Sequence, residues 1–139
     1  VSAENAAVLS LLGVQPGYLI WEIGYDEDVD EDVRTALTSA ENVEVIDHED
    51  DIDDVVDLVV LWWRDDDGDL GDALVDAIGP LADHGVVWLL TPKPGRDGHI
   101  EAEDIADAVP TAGLQQTSTV SAARDWQGTR LVAPRARKQ

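Results

Sequence analysis

Two kinds of apolar spacing alternate along the chain. Short, nearly unbroken apolar runs read as strands: Tyr18-Leu19-Ile20-Trp21 continuing to about Gly24, then Val43-Glu44-Val45-Ile46, Leu58-Val59-Val60-Leu61-Trp62-Trp63 and Val86-Val87-Trp88-Leu89-Leu90. Runs this apolar belong to parallel strands covered on both faces. Between them, apolar residues recur at helical spacing. Ala6, Val8, Leu9, Leu11 and Leu12 predict a helix over 3–14, and Val33, Ala36 and Leu37 predict one over 32–40. Leu70, Leu74, Val75, Ile78 and Leu81 mark a helix over 70–81, and Ile105 with Val109 one over 101–109. Breakers fall between the periodic stretches, at Gly13 with Pro16-Gly17, at Asp65-Asp66-Asp67-Gly68, at His84-Gly85 and at Thr91-Pro92-Lys93-Pro94-Gly95. The end changes character: 115–122 alternates, Asp125-Trp126-Gln127-Gly128 reads as a turn, and Thr129-Arg130-Leu131-Val132 completes a hairpin. The order predicts a doubly wound α/β fold, a mostly parallel sheet ending in a C-terminal antiparallel hairpin.

With 139 residues, a single domain over 1–134 is expected, followed by a basic flexible tail at 135–139. There is no cysteine, which excludes thiolate metal sites, disulfides and a cysteine nucleophile. No apolar run approaches the ~20 residues of a membrane helix and no basic-then-apolar leader is read, so a cytoplasmic protein is expected. Charge changes the picture most. Residues 22–83 hold 23 acids against only Arg34 and Arg64, a balance equal to the whole chain's net −21, while the remaining residues are balanced. Such a molecule repels phosphate backbones and anionic lipid, so neither nucleic acid nor a membrane surface is an expected partner.

The succession of a helix, Pro-Gly, a strand, an acidic loop, and then "VVDLVVLWW" and "LADHGVVWLL" resembles the class I S-adenosylmethionine-dependent methyltransferases. The resemblance implies a Rossmann-like fold. In that family the loop after the first strand runs acid-x-Gly-x-Gly-x-Gly, because bare backbone must approach the ligand. Here Glu22 and Gly24 match its first points, and Asp47 matches the acid that holds the ribose, so these three are the candidate cofactor residues. Asp26 and Asp28 stand where later glycines belong, and would repel the carboxylate of the cofactor's methionine part. Only about ten residues follow Asp47 before the next core strand, where the family fits a helix, a strand and another helix. No cofactor is therefore expected, and an enzyme is disfavoured.

Metal sites fare little better. Asp26, Asp28 and Asp30 have the alternate spacing of a calcium loop but lack its glycine and its closing glutamate, with Glu31 and Leu37 in those places. Asp65 and Asp67 are the candidate ligands for weak divalent-cation binding. His48, His84 and His99 share no ligand spacing, and Lys93 follows a strand end where α/β folds place ligands. Trp62 and Trp63 point to opposite faces of one strand, so both can be core. Trp126, beside a turn with Asp125 and Arg130 near it, is the tryptophan most open to exposure, an interface composition, with a ring folded back over the sheet edge as the equal alternative.

Four strings, "WEIGYDEDVDEDVRTAL", "VLWWRDDDGDL", "HGVVWLLTPK" and "PTAGLQQTSTVSAARDWQGTRLVAP", resemble a family of short acidic actinobacterial proteins known only as a domain of unknown function. That likeness implies a Rossmann-like fold and carries over no catalytic residue. The reading favoured by the sequence is a non-enzymatic regulatory or adaptor protein. It would bind a basic protein partner through Asp26, Asp28, Asp30, Asp65, Asp66, Asp67 and Asp69, whose loops follow adjacent parallel strands and should share one edge. A divergent methyltransferase or metal-dependent transferase is the second reading. A structural homo-oligomer joined through the hairpin and Trp126 is the third.

Overall fold

The computed structural model describes residues 9–24, 27, 29–39, 43–46, 55–122 and 125–132. Residues 9–12 are helical, and the turn after them is closed by Gly13 at φ 75° with the Val14 N–H donating to the Leu9 carbonyl at 3.0 Å. The strands are β1 (Leu19–Ile23), β2 (Glu44–Ile46), β3 (Val56–Trp62), β4 (Leu81–Pro92), β5 (Gln115–Ser121) and β6 (Trp126–Val132). The helices between them are α1 (Glu31–Ser39), α2 (Leu70–Ile78) and α3 (Ala102–Thr111).

One six-stranded sheet runs β2-β1-β3-β4-β6-β5. β2, β1, β3 and β4 are parallel neighbours, while β6 runs antiparallel to both β4 and β5. This is the doubly wound sheet with a terminal hairpin that the apolar periodicity predicts. The chain passes from β1 outward to β2 and then back across to β3, so the strand order reverses between β1 and β3. In open α/β sheets ligands bind outside the carboxyl ends of the strands at that point.

Two cores sit on the two faces. On one, Leu74 and Ala77 of α2 and Ile105 and Val109 of α3 cover Val59, Leu61, Val87 and Leu89. On the other, Leu12 and the Val33 and Leu37 of α1 cover Ile20, Leu58, Val60 and Trp62. β3 explains its own apolar sequence: five consecutive residues from Leu58 to Trp62 are at most 1% exposed, because both pleat faces are covered.

Two expectations are corrected. Leu81 continues the apolar spacing of α2 but opens β4, pairing with Val56. Gly79 and Pro80 stop the helix first, and the Pro80 carbonyl accepts the Val56 N–H at 2.8 Å, which pulls the chain into the sheet. At the other end, Trp126-Gln127-Gly128 is not a turn. It begins β6, pairing with Pro92, Thr91 and Leu90. Packing and pairing outweigh the local signals: Leu81 packs half-buried against one core, and Trp126 is buried in the other.

Candidate functional site

β1 and β3 end side by side, and the crevice between their carboxyl ends is where a nucleotide would lie in this architecture. The protein's own side chains occupy it. Glu22, near the end of β1, is 2% exposed. Arg34 reaches it from α1, Nε lying 3.1 and 2.9 Å from Oε1 and Oε2 and Nη2 2.9 Å from Oε1. The Trp62 indole N–H donates to Oε2 at 2.9 Å. A buried carboxylate is tolerated only with such compensation, and here the compensation comes from within the fold.

Gly24 is held one step further along. Its φ of 84° lies in the left-handed region, and a Cβ on it would overlap the Trp62 carbonyl oxygen. Glycine is thus required by the close approach of β3, whether or not a ligand comes near. The Gly24 carbonyl accepts a 2.7 Å hydrogen bond from Arg64 Nη1. That guanidinium is buried: Nη1 also lies 3.3 Å from the Trp62 carbonyl and 3.3 Å from Asp67 Oδ2, and Cζ stands 5.2 Å from the centre of the Trp126 ring. Trp126 in turn meets Trp62 edge-to-face at 4.9 Å and is only 3% exposed. Of the two placements open to Trp126, the exposed one is overturned: the ring is buried between Trp62 and Arg64.

Both described candidate cofactor residues have partners within the fold. Glu22 is committed to Arg34 and Trp62, and the Gly24 backbone is committed to Arg64. β2 is the edge of the sheet among the described residues, with no strand beyond it to help wall an adenine pocket. Asp47, Asp26 and Asp28 lie outside the described residues.

The remaining acids divide by task. Asp30 accepts the Val33 N–H at 3.1 Å at the start of α1, and Asp69 caps α2 by accepting the Asp72 N–H at 3.0 Å. Asp67 accepts the Arg64 backbone N–H at 3.0 Å besides facing its guanidinium. Its carboxylate is therefore turned toward a cation of the protein, which is a poor arrangement for the metal pairing expected with Asp65. No group of three or more metal-ligating side chains occurs among the described residues. Asp65 and Asp66 are exposed.

The geometry adds residues that the sequence reading passed over. A cleft of about 390 Å³ opens between the loop after β3 and helices α2 and α3. Asp65, Asp69, Asp104 and Asp107 stand around it, with Trp63 and Ile100 among its apolar wall. Asp104, Asp107 and Thr111 lie three and four residues apart, so one face of α3 carries all of them. That spacing was the available signal. The acids that share a cleft with the second acidic run thus come from α3. Lys93, also singled out from the sequence, donates from Nζ to Ser121 Oγ at 2.6 Å.

No helix among the described residues is long and apolar enough to cross a membrane. Methyltransferases are among the solved structures similar to the chain. A SAM-dependent methyltransferase from Aquifex aeolicus superposes with a TM-score of 0.61 at 16% identity, over 93% of this chain and 89% of that one. A glycopeptide N-methyltransferase gives a TM-score of 0.62 at 11% identity, over 95% of both chains. At such identities the likeness shows the Rossmann-like fold alone. In sequence, an uncharacterized protein of Mycobacterium tuberculosis is 52% identical over 138 residues, 99% of this chain and 85% of the relative. An uncharacterized protein of Mycobacterium bovis matches equally. Residues 9–135 match the protein family of unknown function DUF3052, and the chain belongs to that family.

Proposed function

We propose that this protein is a non-enzymatic adaptor or regulatory protein on a methyltransferase-like scaffold, binding a basic segment of a partner protein in the cytoplasm. The observation that carries this reading is the cleft between α2 and α3, where four carboxylates surround an aromatic wall. A lysine or arginine side chain suits that lining, its charge facing Asp65, Asp69, Asp104 and Asp107 and its aliphatic stem or guanidinium lying on Trp63. The internal bonds of Glu22 and of the Gly24 carbonyl support the non-enzymatic part of the reading.

Calorimetric titration with a lysine- and arginine-rich peptide tests it. Saturable binding is expected at low ionic strength, weakening at least tenfold on raising salt from about 0.05 to 0.5 M as screening shortens the Debye length. The double substitution Asp104→Asn with Asp107→Asn should weaken it at least tenfold more, and an uncharged peptide of the same length should not bind. Equal binding of the uncharged peptide would refute the reading.

The likeness to solved methyltransferases favours one second reading, a divergent methyltransferase. Saturable S-adenosylmethionine binding below about 100 μM, some 5.5 kcal/mol or better, would establish it over the first.

A further inference from the structure

The cleft between α2 and α3 holds charge and an aromatic ring, and the fold neutralises neither. Asp65 stands on the loop after β3, Asp69 caps α2, and Asp104 and Asp107 belong to α3. None of these acids is paired with a lysine, arginine or histidine among the described residues, whereas Asp67 of the same loop is paired with Arg64. Carboxylates gathered without a counter-charge repel one another, and a cation held among them relieves the repulsion.

Trp63 supplies the ring. It is half-buried, packs against the core of that face and lines the cleft. Trp62 and Trp88 spend their indole N–H groups inside the fold, on Glu22 at 2.9 Å and on the Leu12 carbonyl at 2.8 Å. Trp63 makes no side-chain hydrogen bond among the described residues. Beside it Gly68 has no side chain to cover the indole: a Cβ there would lie 3.9 Å from Trp63 Cζ2.

Shape and hydration decide which cation suits such a lining. An ammonium is a compact, strongly hydrated charge that loses its water against an indole. A guanidinium is flat and more weakly hydrated, stacks on aromatic faces, and carries its N–H donors around the edge of its plane. Lying on Trp63, it can still offer that edge to carboxylates on both walls of the cleft. We propose that the cleft reads arginine in preference to lysine, with Trp63 setting the preference and the carboxylates attracting either cation. This rests on the cleft binding a basic segment, as proposed above, and adds which residue that segment presents.

Calorimetric titration of the full chain with two glycine–serine peptides of equal length tests the preference, one carrying arginines and the other lysines at the same positions. The arginine peptide should bind about fivefold more tightly, the worth of one cation–π contact at a partly exposed site. That ratio should hold as salt rises from about 0.05 to 0.2 M while both affinities fall, because screening acts on the charge the two peptides share. Trp63→Leu should bring the peptides within about twofold of each other and keep the salt dependence, while Trp63→Phe, which retains an aromatic face, should keep part of the ratio. Should the leucine variant fail to fold, the phenylalanine variant and the salt series of the parent decide. Equal binding of both peptides, a ratio that survives Trp63→Leu, or one that vanishes with added salt would overturn the arginine preference and leave the cleft as a binding site. Binding of neither peptide would overturn the site and the preference together.

Discussion

Replacing Arg34 by methionine keeps much of the side chain's apolar stem and deletes the charge that holds Glu22. The carboxylate would then retain only the Trp62 indole N–H among its described partners while its side chain stays 1% exposed. Breaking a buried ion pair from one side costs about 3–5 kcal/mol. Arg34 is 21% exposed on its side chain, so some water reaches the gap and the lower end applies, about 3 kcal/mol. For a domain of this size that lowers the melting temperature by roughly 10 °C. Urea unfolding followed by tryptophan fluorescence measures it. The cycle with Glu22→Gln supplies the control: the double variant leaves no buried unpaired charge, so it should recover part of the loss, with a coupling of about 1.5 kcal/mol or more. A loss below about 1 kcal/mol for Arg34→Met, the range of exposed pairs, or a coupling indistinguishable from zero, would refute the closed crevice. An open crevice with Glu22 facing a ligand would give that outcome.

Gly24→Ala forces a Cβ into a left-handed residue and against the Trp62 carbonyl, and should destabilise by about 2 kcal/mol or more, read in the same urea titration. Trp126→Ala removes a buried ring from between Trp62 and Arg64. A loss of about 3–5 kcal/mol is expected by thermal or urea unfolding, where an exposed tryptophan would lose under about 0.5 kcal/mol.

Much of this fold is legible because its central strands are buried on both faces. Leu58-Val59-Val60-Leu61-Trp62 can hardly be anything else, and the helices flanking it keep a clear period. Local signals mislead at Leu81 and Trp126 because helix spacing and turn composition are weak forces beside strand pairing and tertiary packing. The match of Glu22 and Gly24 to a cofactor loop is real as sequence, yet both residues answer to internal demands, an arginine on one and a neighbouring carbonyl on the other. Arg64 goes unread because a lone base in an acidic run looks like a surface counter-charge. Its position directly after the most buried strand was the clue. Asp104 and Asp107 are hidden by an opposite effect: they lie outside the dense acid runs, while the cleft takes acids from both the loop after β3 and α3.

Two of the contacts that shut the crevice span the same long stretch of chain. Glu22 to Trp62 and Gly24 to Arg64 both join residues 40 apart, so they clasp a loop that contains α1, β2 and everything between β1 and β3. Closing a loop of that length costs entropy that only distant contacts can return. The clasp therefore makes the short, three-residue β2 part of one cooperative unit with the central strands. Hydrogen exchange in β2 should then follow the integrity of the Glu22–Trp62 and Gly24–Arg64 contacts, and severing the clasp should release that flank of the sheet together.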